Sequence, residues 1–143
     1  MPTSRRHGIP GTERLAFVDS CIAIYYVERR NPWHEQVVAA FERSSPEVLC
    51  ISDLVRMECH VGAHQLGDMQ LLERYERLFD GLTLIPMTGA VYDRAAELRA
   101  RHRIKTPDAL HLAAALEYGC DEFWTNDMRF ASLPAEIAFR TFK

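Results

Sequence analysis

Four carboxylates in this 143-residue chain stand where acids can do chemistry: Asp19, Glu58, Asp108 and Asp127. Asp108 belongs to the stretch KTPDALHLAAALEYGCDEFWTNDMRF, residues 105–130. Thr106 has the chemistry of a helix N-cap and Pro107 that of a first helical residue. Asp108 then falls in the opening turn, whose N–H groups lack intrahelical acceptors and favour an acid. Asp19 follows a short apolar strand pattern at 15–18, and Asp127 follows another at 122–125. Open α/β sheets build their sites at such carboxyl ends of strands. Glu58 shares a helical face with Leu54, Val55 and Val61, counted by three and four, so it projects from the packed side.

Acids that converge with no lysine or arginine between them repel, and some of them hold protons as a coupled group. A hard divalent cation removes that penalty. Mg²⁺ and Mn²⁺ take oxygen ligands, keep several waters, and pair one or two carboxylates with substrate phosphate oxygens. Phosphodiester hydrolysis is the chemistry such a site suits. Spacing leaves a second reading open, in which Asp108 only caps its helix and Glu58 pairs with an arginine such as Arg56.

Regular elements must bring these positions together. Apolar runs at 15–18, 48–51 and 82–85, with 122–125 and 137–139, read as short buried strands. Between them lie helix patterns: 21–28, capped by Ser20 and stopped by Asn31 and Pro32; then 33–43, ended by Pro46. Ser52 caps a helix running to about 65, and Leu72, Tyr75, Leu78 and Phe79 form the stripe of another over 69–79. Thr88 caps a helix to about 102 that turns Val91, Ala95 and Leu98 inward. The Asp108 helix is apolar nearly all round, from Leu110 to Leu116, which marks an element buried on most sides, and Gly119 stops it. Strands alternating with helices imply a mainly parallel sheet covered on both faces, a three-layer α/β/α domain.

Composition narrows the class. With 48% apolar and 26% charged residues the chain reads as one soluble globular domain, and no apolar run reaches the ~18 residues a membrane span requires. Residues 1–14 are polar and read as a flexible N-terminal tail without a signal peptide's apolar centre, leaving 15–143 as the domain. Cys21, Cys50, Cys59 and Cys120 are scattered with no C-x-x-C pair, as expected of reduced thiols in a cytoplasmic protein. The net charge of −3 does not advertise a nucleic-acid binder, yet charge is segregated: a basic run at 99–105 directly precedes the Asp108 helix.

Four segments taken together resemble a known family. Val18-Asp-Ser20, Ser52-Asp-Leu-Val-Arg-Met-Glu58, Thr106-Pro-Asp-Ala-Leu-His-Leu-Ala-Ala114 and Trp124-Thr-Asn-Asp127-Met-Arg-Phe130 look like the four motifs of the PIN domain, in that family's order. The T-P-D-A-L-H and T-N-D signatures are most similar to the VapC-type toxin ribonucleases of prokaryotic toxin–antitoxin pairs. The resemblance covers about 15–139 and implies a PIN-like fold, a Mg²⁺- or Mn²⁺-dependent endoribonuclease, a homodimer, and a cognate antitoxin whose basic segment enters the acidic pocket. It implies that Asp19 and Asp108 contact metal most directly, that Glu58 helps through a ligand or bound water, and that Asp127 completes the set. Ser20, Thr125 and Asn126 match the polar neighbours that orient those acids. Two alternatives remain: a PIN nuclease that processes RNA without an antitoxin, and a non-catalytic binding module of the same fold.

Other groups read more plainly. His60 and His64 lie four apart on one helix but in no H-E-x-x-H order, so a solvated or packed pair is expected. His111, one turn after Asp108, reads mainly as helix packing. Trp33, Tyr25 and Tyr26 read as core or dimer packing before RNA stacking. The 99–105 cluster is equally a phosphate grip or a solvated helix end.

Overall fold

The computed structural model describes residues 14–45, 48–133 and 136–143. The tail expected over 1–14, apart from Arg14, and the helix-ending Pro46 lie outside those residues. Five strands form one sheet: β1 (Ala16–Val18), β2 (Leu49–Ser52), β3 (Thr83–Ile85), β4 (Glu122–Trp124) and β5 (Ala138–Arg140), in the order β3-β2-β1-β4-β5. Every neighbouring pair is parallel. Six α-helices among the described residues complete a three-layer α/β/α arrangement: α1 (Ser20–Val27), α2 (His34–Arg43), α3 (Asp53–Leu66), α4 (Met69–Asp80), α5 (Gly89–His102) and α6 (Thr106–Tyr118). None of them is long and apolar enough to cross a membrane.

The strands are three or four residues long, and the centre of the sheet is built from bulky side chains. All of β1 and β2 is buried, and Phe17 stacks on Phe123 across the β1–β4 pair with ring centroids 5.1 Å apart. The chain steps outward from β1 to β2 and β3, then returns to β4 on the other side of β1. That reversal makes the carboxyl ends of β1 and β4 the topological switch point, where an open parallel sheet leaves a crevice. In-register pairing of Val18 with Trp124 sets Asp19 beside Thr125, and the Asp19 amide donates to the Trp124 carbonyl at 3.0 Å.

Local signals hold with shifts of a residue or so. Ser52 and Thr88 cap α3 and α5 by accepting from the amides of Val55 and Val91. Gly119 ends α6 at φ +84°, in the left-handed region that glycine enters without a Cβ penalty. Ser20, expected as a cap, is instead the first residue of α1. Asp19 caps it, because its extended backbone and short side chain reach the Ser20 amide. Thr106 likewise is the first residue of α6, and the half-in position belongs to Lys105, whose carbonyl accepts from the Ala109 amide at 2.9 Å.

Two helix faces turn differently from the expectation. On α3 the buried stripe is Val55, Cys59 and Ala63, while Leu54 is half-buried and Val61 is 43% exposed. Apolar residues surround this helix, so counting by three and four picked a face one step off, and Glu58 flanks the packed stripe instead of lying in it. On α4 Leu71 joins Tyr75 and Phe79 as the buried face, with Leu72 and Leu78 at its margins. The four cysteines carry no disulfide; Cys21 is half-buried and the others are buried.

Candidate active site

One pocket of about 330 Å³ at the switch point is lined by Asp19, Glu58, Asp108 and Asp127, with His111 and Arg129 among them. Asp19 lies at its floor, 7% exposed, where β1 ends. Its Oδ1 accepts the Ser20 amide at 2.8 Å and its Oδ2 accepts the Thr125 hydroxyl at 2.7 Å. Thr125 is itself buried and its Oγ1 accepts the Asp127 amide at 3.0 Å, so one hydroxyl ties the ends of β1 and β4 together. Burial pushes the Asp19 carboxyl above the ordinary aspartate range, against the lowering effects of His111, Thr125 and the Ser20 amide.

Glu58 reaches the pocket from α3 and meets His111 of α6, whose Nε2 lies 2.8 Å from Glu58 Oε1 and 3.9 Å from Asp19 Oδ1. Burial alone would raise the Glu58 carboxyl, but the His111 hydrogen bond and charge outweigh it and hold Glu58 below its usual range. His111 is 2% exposed and its ring lies against Phe17. Burial disfavours a charged ring; the bond to Glu58 and the charges of Asp19, Glu58 and Asp108 overcome that and raise its pKa. Its Nδ1 is buried without a partner among the described residues. The ionised Glu58 carboxylate can only accept, so Nε2 carries the proton between them in either charge state. Asp19, Glu58 and His111 each offer an atom within 4.8 Å of one another. The imidazole nonetheless acts as a donor to Glu58, since a ligating histidine normally gives its other N–H to an acceptor.

Asp108 and Asp127 do not face each other unscreened, which corrects the expectation of acids with no arginine between them. Arg129 lies across both, with Nη2 at 2.5 Å from Asp127 Oδ2 and 3.4 Å from Asp108 Oδ2. The Arg129 hydrogen bonds hold Asp127 below the usual carboxylate range. Asp108 stays above it, raised first by burial and then by the charges of Asp127 and Asp19, with Arg129 offsetting only part. Arg129 stands inside the last motif, and its place two residues after Asp127 is the sequence signal for this pairing. His111, expected mainly as helix packing, lines the pocket, and its one-turn spacing from Asp108 is the sequence signal for that.

The remaining residues sort themselves by partner. The Asn126 side chain, expected to orient the acids, donates to the Phe142 carbonyl at 2.8 Å and accepts the Phe142 amide at 2.7 Å, which pins the C-terminal segment instead. Arg56 binds Asp53 and Glu76, each at 2.9 Å, and leaves Glu58 to His111. His60 pairs with Glu76 at 2.7 Å and meets His64 edge to face. Tyr25 stacks on Trp33 and Tyr26 on Phe41. From the basic run, Arg99 donates to the Ile104 carbonyl, and Lys105 is close enough for its charge to help lower Asp127. A larger groove of about 840 Å³ beside Tyr26, His34 and Arg74 gathers no set of acids, so volume alone does not mark the chemistry.

Asp19 and Glu58 bring carboxylate oxygens within 4.8 Å of each other, and Asp108 and Asp127 line the same pocket, an oxygen-rich lining of the kind a hard divalent ion takes. The sequence pattern of the PIN domain family matches residues 16–136. No curated protein matches the sequence. Among solved structures the chain is similar to a toxin–antitoxin complex from Klebsiella pneumoniae, at 27% identity over 83% of this chain and 92% of that one, with a TM-score of 0.70. It is similar in fold to DNA-bound VapBC from Salmonella typhimurium, at 18% identity over 90% of this chain and 98% of that one, TM-score 0.76. A third is VapC20 from Mycobacterium tuberculosis, a sarcin–ricin loop cleaving toxin, at 18% identity over 86% and 98% of the two chains, TM-score 0.66. The matched pattern spans most of the chain, and with this strand order and this acidic pocket the protein belongs to the PIN-domain family.

Proposed function

We propose that the chain is an endoribonuclease dependent on Mg²⁺ or Mn²⁺ and the VapC-type toxin of a toxin–antitoxin pair. The observation that carries this is the convergence of Asp19, Glu58, Asp108 and Asp127 on one pocket at the switch point of the sheet. Asp19, Asp108, Asp127 and Glu58 would hold the ion. A bound divalent ion supplies charge stabilisation at the phosphoryl group and a water of lowered pKa. The protein supplies the rest: Thr125 and the Ser20 amide fix both oxygens of Asp19, and His111 fixes Glu58. Likeness to the Klebsiella toxin–antitoxin complex and to the sarcin–ricin loop cleaving toxin supports an RNA target and an antitoxin partner. A homodimer and a cytoplasmic location belong to the same proposal.

The test is direct. Purified chain incubated with RNA should cleave it in Mn²⁺ or Mg²⁺ and stop in excess chelator; cleavage that persists undiminished under chelation overturns the proposal. Growth arrest on expression, relieved by the product of an adjacent small reading frame, separates the toxin from an RNA-processing PIN nuclease without an antitoxin.

His111 acts here as a positioning residue. His111→Leu is expected to lower Mn²⁺ affinity or cleavage about 10- to 100-fold, as losses of groups that orient ligands do. His111→Gln, which retains an N–H for Glu58, should recover most of that loss. Equal defects in both variants, read by calorimetry and initial rates, would show that His111 only fills space.

A further inference from the structure

The nuclease reading leaves Arg129 without a task. Its backbone is anchored: Asp127 caps the 3₁₀ turn Met128–Ser132, and Phe130, 2% exposed, packs on Phe123 and Phe139. Its side chain is 57% exposed. Nε donates to both Asp127 oxygens, at 2.9 and 3.1 Å, and Nη2 extends to Asp108.

A pocket lined by four carboxylates also disfavours the approach of a phosphodiester. A divalent ion offsets two of those charges, and further attraction for phosphate must come from the protein. Among the described residues lining this pocket, His111 and Arg129 are the groups able to carry positive charge. His111 is buried against Glu58, so Arg129 is the one that can reach outward.

Resting on the nuclease reading, we propose that Arg129 exchanges partners: it is the counter-ion of Asp108 and Asp127 before cation loading, and it grips the RNA phosphate beside the site afterwards. The planar fork now spanning both oxygens of Asp127 matches two phosphate oxygens in the same manner. With the side chain 57% exposed, water screens the guanidinium's side of the pair and can take over its hydrogen bonds during the exchange. Asp127 also keeps a donor throughout, because its Oδ1 accepts the Arg129 backbone amide at 3.0 Å.

The experiment compares wild type, Arg129→Gln and Arg129→Lys in the full chain. Calorimetry gives the Mn²⁺ dissociation constant without RNA. Fluorescence anisotropy with a single-stranded RNA oligonucleotide, in Ca²⁺ and over a series of salt concentrations, gives binding without reference to turnover. Arg129→Gln should bind Mn²⁺ about 2- to 5-fold more tightly, the range of one exposed ion pair removed as competitor. The same variant should bind RNA more weakly, with its salt dependence shallower by about 0.7, one phosphate contact on a single strand. Arg129→Lys should keep the salt slope. Unchanged or weaker Mn²⁺ binding in the Gln variant, or an unchanged salt slope, overturns the role of Arg129 while wild-type binding of both ligands leaves the nuclease reading standing. A wild-type chain that binds neither Mn²⁺ nor RNA overturns that reading, and this role with it.

Discussion

Asp19→Asn is expected to lower RNA cleavage by on the order of 10³-fold or more while the fold survives, and Asp108→Asn to do the same, because each removes a negative charge aimed at the ion and the phosphoryl group. The fold should survive for a reason specific to each position. At Asp19 the asparagine keeps one oxygen to accept the Ser20 amide, and it loses a charge that burial already disfavours. At Asp108 the carboxyl is likewise held above its usual range by burial and by Asp127 and Asp19, so neutralising it relieves repulsion. The apo variants should therefore melt no lower than wild type by circular dichroism, and they should lose the thermal stabilisation that added Mn²⁺ gives to wild type. Wild-type cleavage rates in either variant would remove these acids from the chemistry.

Phe123→Ala carries the largest expected effect on stability. Phe123 is fully buried in β4, between the two strands it pairs with, and its ring contacts those of Phe17, Phe130 and Phe139 at 5.1, 4.8 and 5.7 Å. Truncation removes transfer free energy and leaves a cavity that strands on both sides cannot collapse into, a loss of about 3–5 kcal/mol. Against the ~5–15 kcal/mol that holds a typical domain, that is a large fraction. Urea unfolding should show a much lower midpoint with an unchanged slope. Thr125 and Asp127 follow this strand directly, so loosened β4 packing should also weaken the site. Phe139→Ala, at a half-buried ring on the edge strand, should cost clearly less. Equal losses in the two variants would refute the cavity argument.

Short-range rules made much of the molecule legible. Ser52 and Thr88 as caps and Gly119 as a stop depend on atoms within one helical turn. Alternating strand and helix patterns led to the parallel three-layer sheet, and Asp19 and Asp127 followed from lying just past strand ends. Where apolar residues surround a helix the same rules lose phase, as on α3, whose buried face passes through Cys59 and not Val61. Caps misplaced by one residue at Ser20 and Thr106 have a similar origin, since two adjacent residues can each supply the half-in position.

By itself, the sequence determined which residues are acids and that each stands at the end or on the flank of a regular element. Tertiary structure alone decided their partners. His111 meets Glu58 across 53 positions of chain, Thr125 meets Asp19 across 106, and Asn126 turns to Phe142 instead of the acids. Even Arg129, close to Asp127 in sequence, reaches Asp108 only because α6 begins beside the end of β4. Side-chain contacts across such separations depend on strand order and helix placement, which act over the whole domain, whereas periodicity and capping act over one turn.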